Sequence, residues 1–233
     1  LCVDAQLSGN LTLRLFFLAI GGLAANRVNW NSRPNREWSG EAMVKLDRIY
    51  TRGGDAGETS LGNGARVAKS SARVASYGDV DEANAILGIV RLYTEGPEDA
   101  VLARIQNDLF DVGADLCVPI EENPEYPALR VTQPQVDWLE GQIDRMNAEL
   151  PALKSFVLPG GTPAAAYLHQ ARTVVRRAER VLVGLLAAPD EAVNRLVLVY
   201  LNRLSDLLFV MSRYVNGRGA NDVLWVPAAN RGG

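Results

Sequence analysis

From Glu191 to Asn216 the chain reads "EAVNRLVLVYLNRLSDLLFVMSRYVN", a stretch that is apolar around most of the circumference of a helix. A helix with so little polar surface has to be enclosed by others. The remaining sequence supplies candidates. Pro97 opens "PEDAVLARIQNDLFDVGADLC", in which Val101, Leu102, Ile105, Leu109 and Val112 recur at helical intervals. Pro134 can begin a third helix, "QVDWLEGQIDRMNAEL", with Trp138, Ile143 and Met146 as its apolar stripe. Before a fourth helix, which runs to about Ala187, stands "FVLPGGTPAA" (Phe156 to Ala165), where Thr162 is a suitable cap and Pro163 fits the first helical position. Pro189 separates this helix from the fifth.

The earliest helix lies in "SSARVASYGDVDEANAILGIVRLY" (Ser70 to Tyr93). Its start is open: Ser70 or Ser71 can cap it, and Asp79 with Glu82 has the spacing of a capping box. Between the second and third helices, "PIEENPEYPALRVTQP" (Pro119 to Pro134) resists regular structure, and the C-terminal "NDVLWVP" is expected to be extended. No internal repeat is visible. The expected fold is all-α: a five-helix bundle led by a glycine-rich N-terminal arm, "YTRGGDAGETSLGNGAR" (Tyr50 to Arg66).

A chain of 233 residues suits one sizeable core. With 24 Lys and Arg against 27 Asp and Glu, its net charge of -3 gives no general reason to bind nucleic acid or an anionic membrane. Any anion site must be built locally. Cys2 and Cys117 are far apart and lack His or Cys neighbours at metal spacing, which points to a reducing, cytoplasmic setting and to no zinc site. The sole histidine, His169, cannot form a multi-His cluster, and no Glu-x-x-His pair suggests a di-iron bundle.

Residues 1–42 differ from the rest. "LTLRLFFLAIGGLAA" (Leu11 to Ala25) is interrupted by Arg14, and its apolar part falls short of the roughly 20 residues a membrane helix needs. Position 1 is Leu, whereas "MVKLDRIYTRGGD" begins at Met43 with a strand-like run. We expect residues 1–42 to be an unstructured upstream extension, with a targeting peptide, for example to mitochondria, as the alternative. The folded domain is then 43–233.

The fourth helix carries the most suggestive charge pattern. At about 100° per residue, Leu168, Ala171, Val175, Ala178 and Leu182 form a buried stripe, bordered by Arg172, Arg176 and Glu179, with Arg177 and Arg180 further round. Arginines four residues apart repel by a few tenths of a kcal/mol on an exposed helix. They need an anion, or Glu179 and solvent. Asp81 and Glu82 are candidate carboxylates; Asp81 can equally complement a helix N-terminus. Asn202 sits among apolar residues and needs partners, which Asp206 one turn later or a nucleobase edge could supply. His169, lacking a suitable Cys or Ser partner, reads as a packed or hydrogen-bonded residue.

The arm places Gly53, Gly54, Gly57, Gly62 and Gly64 within 12 residues. It lacks the Gly-Lys-Ser/Thr ending of a P-loop, and no βαβ order follows it. Glycines nevertheless let backbone N–H groups converge on an anion, and Arg52, Thr59, Ser60 and Lys69 would add charge and hydroxyls. Polyphosphate fits such a nest; a solvated loop would have the same composition.

Taken together, "YTRGGDAGETSLGNGARVAKSSARVASYGDVDEANAILG", "FVLPGG", "LHQARTVVRRAER" and "YLNRLSDLLFVMSRY" resemble the PduO-type ATP:cob(I)alamin adenosyltransferases, from about Lys45 to the tail. The resemblance implies a homotrimer of five-helix bundles with active sites at subunit interfaces and ATP beneath the arm. It implies that Thr51, Arg52, Gly53 and Gly54, with Thr59 and Ser60 nearby, cradle phosphates and that Lys69 contacts them. It assigns Arg176, Arg177, Glu179, Arg180 and Asn202 to the nucleotide, and Asp81 with Arg172 to an ion pair across the interface. Phe156 would stand at the lower face of the corrin and exclude an axial ligand. The implied reaction moves the 5′-deoxyadenosyl group of ATP to cob(I)alamin, with Mg²⁺ present and triphosphate released. A reductase and an adenosylcobalamin-dependent acceptor enzyme are the implied partners. Gly53 stands where the family more often has Thr, which removes one hydroxyl contact. A cobalamin carrier without turnover and a nucleotide-responsive structural bundle are the competing classes.

Overall fold

The structure is a computed structural model that describes residues 2–3, 15–16, 50, 52–124 and 127–231. It divides into two compact units, Leu1–Val67 and Ala68–Gly233. In the first, β1 (Cys2–Val3) pairs antiparallel with β2 (Leu15–Phe16), Cys2 opposite Phe16 and Val3 opposite Leu15. The strand-like run expected after Met43 lies outside the described residues.

The glycine arm contains more structure than its composition suggests. Strands β3 (Glu58–Ser60) and β4 (Arg66–Ala68) form a two-stranded sheet. In the turn, Leu61 N–H donates to Ala65 O at 2.8 Å, Gly64 N–H to Leu61 O at 2.9 Å, and Ala65 N–H to the Asn63 side chain at 3.1 Å. Gly64 adopts φ 87°, a left-handed conformation that a side chain would strain.

The second unit consists of five α-helices: α1 (Ala72–Val90), α2 (Gly96–Cys117), α3 (Gln133–Asn147), α4 (Pro163–Leu186) and α5 (Arg195–Tyr214). A 3₁₀ turn, Arg91–Tyr93, follows α1. The open N-terminus of α1 is settled by Ser71, whose hydroxyl accepts from Val74 N–H at 3.4 Å. Thr162 caps α4 as expected, accepting from Ala165 N–H at 3.2 Å, and proline occupies the first turns of α2, α3 and α4.

The core confirms most of the predicted stripes. Helix α4 packs chiefly on α1 and α5, α5 also on α3, and α1 on α2. Leu168, Ala171, Val175, Ala178 and Leu182 are buried, as are Val101, Leu102, Ile105, Leu109 and Val112 of α2. Helix α3 differs from expectation: Val136, Leu139 and Met146 are its buried residues, while Trp138 and Ile143 are half-buried. Trp138 instead receives the Arg104 guanidinium 3.9 Å from its ring centroid, a stacking that uses the flat face of the indole.

Helix α5 begins later than the apolar pattern suggested. Asn194 caps it, and Glu191 is diverted to Arg73. Arg73 is 2% exposed; it donates to Glu191 at 2.9 and 2.5 Å, to Leu116 O at 2.8 Å and to Ala192 O at 3.0 Å. A guanidinium this deep requires several acceptors to offset its lost hydration, and the α4–α5 connection supplies two of them. Asp115 similarly anchors the irregular segment before α3. Its carboxylate accepts from Arg130, Val131 N–H and Asn194 at 2.7 to 2.8 Å. Among the described residues, no helix is long and apolar enough to cross a membrane.

Candidate active site

Helix α4 divides its arginines between two environments. Arg177 turns to α1, where its Nε donates to Asp79 at 3.0 Å and its Nη2 pairs with Glu82. That guanidinium is neutralised twice. Arg172, Arg176 and Arg180 have no carboxylate within ion-pair distance among the described residues. Arg180 reaches only the Arg176 carbonyl, at 2.9 Å. Arg172 is half-buried and its Nε is orphaned, buried without an acceptor. Burial, and then the charge of Arg176, lower its pKa. A cation held this way is electrostatically unsatisfied and favours an incoming anion.

The border of α4 toward α5 is hydrogen-bonded. Asn202 donates to Glu179 Oε1 at 2.9 Å and accepts from Arg203 Nη1 at 2.7 Å. Asp206, considered from the sequence as the partner of Asn202, is not that partner. The partner is Glu179 of α4, which the sequence reading had not considered for Asn202, because the α4–α5 packing brings it there. Burial raises the pKa of Asp206, while the charge of Arg203 opposes the shift. Arg203 in turn donates to Glu140 of α3 at 2.6 Å, which fixes the guanidinium beside the amide. Sequence reading missed this role, since nothing local connects residues 140 and 203.

His169, one turn before Arg172, is a buried core residue. Its Nε2 lies 3.3 Å from Ser212 Oγ, and its Nδ1 has no partner. Burial lowers its pKa, assisted by the Arg172 charge, so the ring is held neutral.

In the arm, Arg52 adopts φ 62°, and its guanidinium lies 5.9 Å from the Tyr50 ring centroid. Left-handed backbone at a non-glycine residue is strained and concentrates at functional loops. Asp55 N–H donates to Arg52 O at 3.3 Å and Gly57 N–H to Gly54 O at 3.2 Å, so residues 52–57 form a tight double turn. Arg66, which sequence reading did not single out, fastens that turn to the hairpin. It donates to Gly53 O at 2.7 Å and to Ser60 Oγ at 3.0 Å, with Glu58 at 3.5 Å. Ser60 is only 2% exposed, whereas Arg52 and Gly53 are open and Gly54 and Thr59 are half-buried. Thr51 lies outside the described residues. Lys69 is exposed in the turn before α1, and Asp81 lies half-buried on α1.

Phe156 stands on the connector into α4, 76% exposed. Its ring meets Trp225 of the C-terminal tail at 6.0 Å between centroids. The expected extended tail is therefore paired: Val157 bridges Leu224 in antiparallel fashion. Trp225 had no predicted role, because 69 residues separate it from Phe156.

The structure thus gathers Arg172, Arg176, Glu179, Arg180 and Asn202 on α4 and α5, and presents Phe156 as a bare aromatic face. Comparisons with known proteins agree with the resemblance. The family model described as "Cobalamin adenosyltransferase" matches residues 49–215. The corrinoid adenosyltransferase of Mycobacterium tuberculosis is 56% identical over 191 residues, 81% of this chain and 97% of that protein. The cobalamin adenosyltransferase of Cupriavidus metallidurans is 50% identical over 184 residues, 78% and 95% of the two chains. A variant PduO-type ATP:corrinoid adenosyltransferase from Lactobacillus reuteri, solved with cobalamin and ATP, superposes with a TM-score of 0.69 at 39% identity, covering 77% of this chain and 97% of that one. The chain belongs to the cobalamin adenosyltransferase family.

Proposed function

We propose that this protein transfers the 5′-deoxyadenosyl group of ATP to cob(I)alamin, forming adenosylcobalamin and releasing triphosphate. The carrying observation is the split on α4: Arg177 is doubly paired, while Arg172, Arg176 and Arg180 lack carboxylates among the described residues. In this reading Arg176 and Arg180 receive the triphosphate, and Thr51, Arg52, Gly53, Gly54, Thr59, Ser60 and Lys69 are further phosphate-binding residues. The Glu179–Asn202 pair offers donors and acceptors to the nucleoside. Ser60 acts from within the fold, through its bond to Arg66.

The chemistry asks little acid–base work of the protein. The electron pair of cobalt(I) forms the bond to C5′, the C5′–O bond breaks, and that electron pair leaves on triphosphate. What the chain must supply is alignment of the two substrates and charge stabilisation on the departing oxygen. Each tenfold in rate corresponds to about 1.4 kcal/mol of selective stabilisation. Phe156, presenting its face to solvent, is suited to cover the lower side of the corrin and keep an axial ligand away, which makes cobalt(II) easier to reduce. Mg²⁺ would be carried in on phosphate oxygens and water. There it would neutralise phosphate charge.

The orphaned Nε of Arg172 supports a homotrimer in which Asp81 of a neighbouring copy completes the ion pair. A reductase upstream and an adenosylcobalamin-dependent enzyme downstream are the expected partners. The test is direct. Purified protein with ATP, Mg²⁺ and chemically reduced cobalamin should consume the cobalt(I) absorbance and yield a light-sensitive alkylcobalamin. Tight corrinoid binding without turnover would instead identify a carrier.

A further inference from the structure

After α5 the backbone turns through three consecutive left-handed residues, Gly217 (φ 70°), Arg218 (φ 50°) and Gly219 (φ 80°), which return the chain to the helix it has just left. Asp222 arrives beside Arg213: Nε donates to Oδ2 at 2.7 Å, and both side chains are 5% exposed. The same guanidinium donates to Pro151 O at 3.0 Å. Asn216 donates to Asp222 Oδ1 at 3.1 Å and accepts from Thr162 N–H at 3.1 Å. Gly161, at φ 100°, admits that amide; a Cβ there would stand 2.5 Å from Asn216 Oδ1. One buried polar cluster therefore ties the end of α5, the connector after α3, the start of α4 and the tail.

Immediately beyond Asp222 the tail pairs with the segment bearing Phe156. Leu158 N–H donates to Val223 O and Trp225 N–H to Phe156 O, both at 2.8 Å, and Ser155 Oγ donates to Trp225 O at 2.6 Å. An exposed two-stranded ladder has little stability of its own, whereas breaking a buried ion pair is strongly unfavourable. The ladder's place is thus inherited from the cluster. Phe156, with its side chain in the open, has no core packing to fix it.

We infer that Arg213, Asp222 and Asn216 are positioning residues: they hold the tail so that its ladder sets where Phe156 stands against the corrin. This rests on the role proposed above for Phe156. The alternative is that the cluster merely stabilises the bundle, in which case its loss would lower thermal stability without separating the two substrates.

Two full-length variants test it. Asp222→Asn removes the counterion of Arg213, and Trp225→Pro removes both the N–H bonded to Phe156 O and the ring that meets Phe156. Each is assayed for KM and kcat with respect to ATP and to cobalamin, and for the absorbance of bound four-coordinate cobalt(II). Both should lower kcat/KM for cobalamin by about 100-fold, the scale of an ångström-sized misplacement, and diminish the four-coordinate signal, with KM for ATP unchanged. Phe156→Ala is the reference. If Phe156→Ala erases the signal while both variants retain wild-type cobalamin kinetics and spectrum, the inference is overturned. If Phe156→Ala itself leaves the signal intact, the fault lies in the role given to Phe156. Should Asp222→Asn fail to fold, Asn216→Ala, which leaves the Arg213–Asp222 pair in place, takes its place with the same outcomes.

Discussion

The glycine arm and the α4–α5 flank present cations by opposite physical means. On α4 the backbone is fixed by helix hydrogen bonds and a buried stripe, so Arg172 and Arg176 start from a rigid platform one turn apart. In the arm, Arg52 sits at a left-handed φ within two tight turns, and the Arg66 side chain ties that loop to its hairpin. A rigid helix can hold charges ready for the transition state, while a loop with few buried contacts can open for substrate and close again. The contrast is between charges set on a rigid helix and a charge held on a loop braced by its own hairpin.

The contrast can be broken most easily at Arg176. Arg176→Ala should reduce kcat/KM for ATP by about 100- to 1,000-fold, the range for removal of one preorganised charge-stabilising donor, with oligomeric state unchanged by light scattering. Kinetics equal to wild type would remove the platform from the mechanism. Arg66→Ala tests the arm. Freeing Gly53 and Ser60 should raise KM for ATP by about tenfold through loss of preorganisation, with a smaller change in kcat. An effect confined to thermal stability would make Arg66 a simple hairpin brace.

Arg177→Ala should matter least of the three. Its guanidinium is engaged by Asp79 and Glu82 on a partly exposed surface, where an ion pair is worth about 1 kcal/mol or less and is screened by salt. Turnover should fall less than for Arg176→Ala, and the stability difference should shrink in high salt. A loss matching that of Arg176→Ala would show that Arg177 leaves its carboxylates when nucleotide arrives.

Where local physics decides, the sequence was readable. Thr162 could be recognised as a cap, and Ser71 stood among the candidate starts of α1, because a capping hydroxyl acts on N–H groups three residues away. The α4 stripe followed from the helical period alone. The start of α5 did not: Glu191 carried helix-compatible sequence, but the buried Arg73, 118 residues earlier, drew it into the connection. The choice of Glu179 over Asp206 for Asn202 likewise depended on how two helices pack. Arg66 and Trp225 gave no signal, because an arginine beside a glycine loop and a tryptophan near a terminus are chemically ordinary until their partners are known.

The sequence by itself therefore determined which segments become helices, which faces most of them bury and which family's motifs the chain carries. These depend on periodicity, capping and the order of residue types along the chain. Only the tertiary structure decided which arginine of α4 is neutralised and which is left waiting, and which tail residue braces Phe156. Charge pairing and strand pairing act through space between residues as many as 118 positions apart. A linear pattern holds no record of those distances.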